Sequence, residues 1–207
     1  MGSEMCIRDR DETAERKAAT FLLGDNLERT TQGGGIYTYT SQQGAAAFRD
    51  TGSFDAAGSL SQENAEAFCR DFCKAFSYDT PIFTLDETGS GTATAVRLWS
   101  GTPVFNAAVT FTIDQGRVLS ASGALLPETG AETSSGQKPL SAFAALTAFQ
   151  QMRHASSSVV SSITEVSLCY ELQSTTAAPM ALVPSWRIVT DTATFYVNCI
   201  SGTVRRA

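Results

Sequence analysis

LVPSWRIVTDTATFYVNCISGTV, residues Leu182 to Val204, reads as a β-hairpin. Pro184 leads into a strand carrying Trp186, Asp191 and Thr192 supply the turn, and Phe195, Tyr196 and Val197 form the returning strand. Ser201, Gly202 and Thr203 then end it, since small residues and Gly release the backbone from extended geometry. Strands of the same kind lie upstream. Phe105, Ala107, Val109, Phe111 and Ile113 alternate with Asn106, Ala108, Thr110 and Thr112. This period of two belongs to a sheet with one dry face and one wet face. Val166, Leu168, Tyr170 and Leu172 likewise alternate with Glu165, Ser167 and Glu171.

Helical spacing appears in three other places. A first helix is expected from about Thr13 to Leu27, and a second after a cap at Ser59 or Ser61, with Phe68, Phe72 and Phe76 on its apolar stripe. A third is expected over Leu140–Arg153, burying Phe143, Leu146 and Phe149. The order helix, strand, Pro-led strand, Asp turn, strand, Gly occurs twice, once through Pro103, Asp114 and Gly123 and again through Pro184, Asp191 and Gly202. The pattern predicts an α+β chain of tandem modules, each a helix packed on a small antiparallel β-sheet meander. Residues 11–58 would form an N-terminal helix plus short meander, 59–127 a central module, 128–138 a Pro/Gly/Ser/Thr-rich linker and 139–207 a C-terminal module. Residues 1–10, MGSEMCIRDR, lack periodicity and caps and read as a non-native artefact segment.

The closing hairpin resembles that of PepSY-type modules, and more closely that of the extracytoplasmic YycI/YycH-type regulators of bacterial two-component sensor kinases. In that family a Pro-x-Trp strand leads to a Tyr-Val-Asn-Ala strand and a turn glycine. Trp186, Tyr196, Val197, Asn198 and Gly202 stand in those places, with Cys199 where a small residue is usual. The resemblance implies an extracytoplasmic accessory protein, anchored to the membrane by an upstream N-terminal helix. Its expected partner is a sensor histidine kinase ectodomain or a paralogous regulatory protein. The extra cysteines depart from the pattern. Alternatives are a PepSY-type inhibitor or pro-segment of a secreted protease, and a cell-surface module that binds a ligand.

Composition narrows the chemistry. A net charge of −6 and a pI near 4.8 argue against nucleic acid, whose phosphates require a basic face. Cys69 and Cys73 fall on the apolar helix stripe, where free Cys behaves as a small hydrophobe. Cys169 and Cys199 fall on strands expected to be two apart, about 9–10 Å, beyond disulfide reach. His154, the single histidine, ends the third helix beside Arg153, a place where a cation complements the helix dipole. Glu165 and Glu171 lie about 20 Å apart along one extended strand at roughly 3.3 Å per residue, too far for a glycosidase pair.

No nucleophile–base–orienter set, metal-ligand spacing or cofactor loop is legible, so no enzyme activity and no cofactor are expected. The aromatics then carry the candidate interaction surface. Tyr196 and Asn198 lie on one face of the last strand, with Trp186 and Trp99 at the corners of their sheets.

Overall fold

A computed structural model of the chain describes residues 5–7, 11–61, 64–126, 131–133, 138–156, 159–174 and 180–207. The chain begins with β1 (Met5–Ile7), α1 (Glu12–Leu23), β2 (Glu28–Gly33), β3 (Ile36–Ser41), β4 (Gly44–Arg49) and β5 (Ser53–Gly58). There follow α2 (Ala65–Ala75), β6 (Ile82–Leu85), β7 (Gly91–Trp99), β8 (Thr102–Asp114), β9 (Arg117–Ala124) and β10 (Ala131–Thr133). The last elements are α3 (Ala142–Ser156), β11 (Ile163–Gln173), β12 (Met180–Thr190), β13 (Thr194–Asn198) and β14 (Val204–Arg206). They divide into two compact units. The α1/α2 unit comprises Arg8–Trp99 and Asn106–Gly130, and the α3 unit comprises Met1–Ile7, Ser100–Phe105 and Ala131–Ala207.

In the α1/α2 unit each helix begins where a side chain satisfies its first free N–H groups. Asp11 accepts from the N–H of Thr13 at 3.1 Å and of Ala14 at 2.9 Å, and Asn64 accepts from that of Ala67 at 3.0 Å. Gly24, at φ 81°, ends α1 in a conformation that costs other residues. Both helices bury their apolar stripes in one core: Ala18, Ala19, Leu22 and Leu23 of α1, and Cys69, Phe72 and Cys73 of α2. The strands run in the order β6-β7-β8-β9-β5-β4-β3-β2. Tyr39, Phe48, Phe54, Ala93, Val109, Phe111 and Ala121 supply its share of the core. Phe72 is the hub, with ring centroids of Phe21, Phe54, Phe76, Tyr78 and Phe111 between 4.6 and 6.1 Å away.

In the α3 unit β12 is the central strand, pairing β11 along its length and also β1 and β13, with β14 beyond β13. Residues directly opposite on paired strands share a face. Trp186 therefore lies with Leu168 and Val197, and Ile188 with Val166 and Phe195. This is the face α3 covers, through Ala145 and Phe149 at 0% and 1% exposure, with Leu146 and Met152 packed around them. The hairpin read from Pro184 to Val204 is present, with its turn at Asp191 and Thr192 and Val189 opposite Thr194.

The expected fold class is corrected in three respects. The helices do not each cap a private antiparallel meander. Phe54 of β5 pairs Gly123 of β9, so α1 and α2 share one large sheet in which strands from both sides of Gly58 take part. The sheet of the α3 unit is mixed, because Tyr170 of β11 pairs in parallel with Val104 of β8. Phe143 is not in a core but 81% exposed. At 100° per residue it lies 200° around α3 from Ala145, so it points away from the covered face.

Smaller differences have local causes. Gly24 stops α1 four residues before Leu27, and Glu28–Gly33 then forms a strand that its polar sequence concealed. Ser61 does not cap α2; its hydroxyl accepts from the Val118 N–H at 3.0 Å. Most of the expected linker 128–138, and most of the segment 1–10, lie outside the described residues.

Candidate interaction surface

The face of the α3-unit sheet turned away from α3 follows from the same register. Glu165, Ser167, Cys169 and Glu171 of β11 share it with Ser185 and Arg187 of β12, Tyr196 and Asn198 of β13, and Arg205 of β14. Phe105, which follows the Val104 bridge, reaches Tyr196. Their rings stack at 3.7 Å between centroids and 13° between planes. The Arg205 guanidinium carbon lies 5.3 Å from the Phe105 centroid, within cation–π range. Arg205 is held in turn by Glu171 at 2.7 Å. A second pair, Arg187 to Glu165 at 2.9 Å, completes a face of two aromatic rings flanked by paired charges.

The electrostatics suit a surface that holds its shape. Ser167 donates to Glu165 at 2.7 Å. That bond, followed by the Arg187 charge, holds the Glu165 carboxyl below the usual carboxylate range. Burial pushes the Tyr196 hydroxyl up, the nearby Cys169 thiol adds to the rise, and Arg187 and Arg205 oppose it. Cys169, 1% exposed, donates to the Ser185 carbonyl at 3.3 Å, and burial raises its pKa to about 12. It is therefore a packed thiol rather than a nucleophile at neutral pH.

The four sequence candidates separate. Tyr196 is half-buried in the stack rather than standing free in solvent. Asn198 shares its face, but its side-chain oxygen accepts from the N–H groups of Ile200 at 2.8 Å and Ser201 at 2.9 Å, tying it to the turn. Trp186 faces α3 and donates its indole N–H to the Leu140 carbonyl at 3.0 Å, so it fastens the start of α3 to the sheet. Trp99 ends β7 in the α1/α2 unit, half-buried. Phe105, Arg187 and Arg205 were not legible as members of this surface. Phe105 reads as one more core position of its strand, and the two arginines have no motif around them.

Elsewhere, the α1/α2 unit holds a hollow of about 220 Å³ lined in part by Lys17, Phe76, Arg97 and Leu126. Arg97 is 2% exposed, and its guanidinium donates to the carbonyls of Ser77, Leu98 and Leu126 at 2.7 to 3.1 Å. That arrangement ties loop ends together. Among the described residues, Cys69, Cys73, Cys169 and Cys199 are free and buried, and no group of three His, Cys, Asp or Glu side chains could hold a metal ion. No helix among them is long and apolar enough to cross a membrane.

No protein-family model and no curated protein matches the chain. Among solved structures it is similar to the C-terminal domain of Bacillus megaterium YpeB, at 15% identity and a TM-score of 0.44, over 96% of this chain and 98% of that one. It is also similar to an uncharacterized protein from Eubacterium rectale, at 11% identity and a TM-score of 0.49, over 99% of this chain and 85% of the other. At these values the likeness concerns the trace of the chain and not its function.

Proposed function

We propose that this protein acts by contact rather than catalysis, as an extracytoplasmic accessory protein that modulates a membrane sensor histidine kinase. The observation that supports action by contact is the Phe105–Tyr196 stack, half-buried and braced by the Arg205–Glu171 and Arg187–Glu165 pairs. Rigid aromatics in a frame of satisfied charges lose little entropy on binding, which is how interface anchors achieve affinity. The partner class rests on the hairpin resemblance carried by Trp186, Tyr196, Val197, Asn198 and Gly202, and a membrane anchor upstream belongs to the same reading.

The test is direct binding to the ectodomain of the sensor kinase encoded nearest the gene. Tyr196→Ala is expected to weaken capture by about 1–2 kcal/mol, roughly 5- to 30-fold, as for an interface hot spot. Tyr196→Phe, which keeps the ring, is expected to retain most of it. Capture unchanged by Tyr196→Ala, with the fold intact, would remove this surface from the reading. Inhibition of a secreted protease in place of kinase binding would favour the PepSY-type inhibitor instead.

A further inference from the structure

Among the described residues, strand β6 is an edge of the α1/α2-unit sheet, pairing only β7. Edges of natural sheets are ordinarily blunted by charge or proline, because their unpaired N–H and C=O groups recruit other strands. Here the edge is apolar: Ile82 is 72% exposed and Leu85 37%, with Phe83 between them packed against the core. Protective residues stand only at its ends, Pro81 before it and Asp86-Glu87 after it.

The register shows which groups face outward. The N–H of Asp86 donates to Ser90 O at 2.9 Å. Hydrogen-bonded pairs alternate along an antiparallel ladder, so Thr84 opposite Thr92 and Ile82 opposite Thr94 turn their backbone groups toward β7. Phe83 and Leu85 consequently turn theirs away from the sheet. We propose that this edge docks a second copy of itself, β6 against β6 in antiparallel register about a two-fold axis at Thr84.

In that register each Phe83 meets the other copy's Leu85, and both residues exchange N–H and C=O bonds, giving four hydrogen bonds in all. A two-fold at Phe83 would instead set Leu85 against Pro81, which has no N–H to give. A two-fold at Leu85 would bring Glu87 opposite Phe83. Only the axis at Thr84 uses every outward group and lets the apolar face that carries Phe83 continue from one copy to the other. Strands this short bury far less than the roughly 800 Å² per partner of a standard interface, so the dimer is weak and appears at high protein concentration.

At the axis the two Thr84 residues form a non-hydrogen-bonded pair, with Cα atoms about 4.5 Å apart and within disulfide reach. Thr84 is exposed and Cys69, Cys73, Cys169 and Cys199 are buried, so with the fifth cysteine removed by Cys6→Ala, Thr84→Cys is a specific probe. Mild oxidation of the full chain at high concentration is expected to give a disulfide-linked dimer with Thr84→Cys and little with Ile82→Cys. Sedimentation equilibrium of the unmodified chain is expected to show a reversible dimer. Leu85→Pro removes one outward donor per copy and should weaken it about tenfold or more, the loss expected from two hydrogen bonds. A chain that stays monomeric at millimolar concentration, or equal cross-linking of the two cysteine variants, overturns the proposal. A partner's strand on this edge in place of a second copy would give the first of those results.

Discussion

Removing either ring of the Phe105–Tyr196 stack tests whether the face opposite α3 is one coupled unit or a set of neighbours. Tyr196→Ala removes a half-buried ring, worth on the order of 1 kcal/mol of burial. It also removes a stacked pair worth about 0.5–1.5 kcal/mol beyond its area. Phe105→Ala loses the same pair term, similar burial and the Arg205 cation, which contributes roughly 0.5–1 kcal/mol where it is half exposed. Tyr196→Ala should therefore lose about 1.5–2.5 kcal/mol and Phe105→Ala about 2–3.5 kcal/mol. The double variant should lose less than their sum, by the pair term of about 0.5–1.5 kcal/mol. The assay is urea unfolding followed by tryptophan fluorescence in a Trp99→Phe background, so that Trp186 alone reports on the α3 unit. Losses that add to within about 0.3 kcal/mol would show that the rings do not act together. The two rings would then not form a rigid interface anchor.

Phe72→Ala should cost about 3–5 kcal/mol and lower the urea midpoint strongly, whereas Phe143→Ala should stay within about 0.5 kcal/mol of the parent; equal effects would contradict the burial of one and the exposure of the other. Gly123→Ala should destabilise measurably in thermal melts, because a Cβ there would stand 2.6 Å from the Ala108 carbonyl oxygen, a backbone atom with little room to retreat; an unchanged melting midpoint would show that the strands yield. Burial raises the thiols of Cys69, Cys73 and Cys169 from 9.0 to about 12, and that of Cys199 to about 11. A folded pKa above the unfolded one gives stability that is complete below pH 9 and lost as pH rises toward 12, by up to about 1.4 kcal/mol per pH unit for each thiol. A urea midpoint flat from pH 8 to 10.5, or a slope unaltered by Cys73→Ala, would contradict this.

Much of the local structure was legible because it depends on neighbours in sequence. The hairpin from Pro184 to Val204 and the alternation from Ala107 to Ile113 appear as read. In each, side-chain period and turn residues act over a few positions. The pairing of Phe54 with Gly123 was not legible, since no spacing within either strand encodes a partner nearly seventy residues away. For the same reason the chain looked like separate modules when β5 in fact lies against β9. The third helix failed differently. Phe143 and Phe149 are both large and apolar, but six residues place them 120° apart on the helix, and the sheet covers only the Ala145 side.

The candidate surface shows why a motif and a site can overlap without coinciding. The residues that carry the family resemblance divide between two faces and a turn: Trp186 and Val197 point to α3, Tyr196 points away from it, and Asn198 and Gly202 shape the turn. Such a motif specifies a hairpin first and a surface second. What distinguishes the outer face is supplied from outside the hairpin strands by Phe105, Glu171 and Arg205, and these also lock Tyr196 in place. Arg205→Ala therefore separates the two roles. It leaves the hairpin's turn and its α3 face untouched, removes the cation over Phe105 and leaves Glu171 with the Gln173 amide donor at 3.1 Å. If the framed stack is the contact surface, this variant should keep the melting temperature within a few degrees of the parent while weakening capture of the kinase ectodomain. A variant that unfolds, or that binds as the parent does, would mean that Arg205 serves the fold alone.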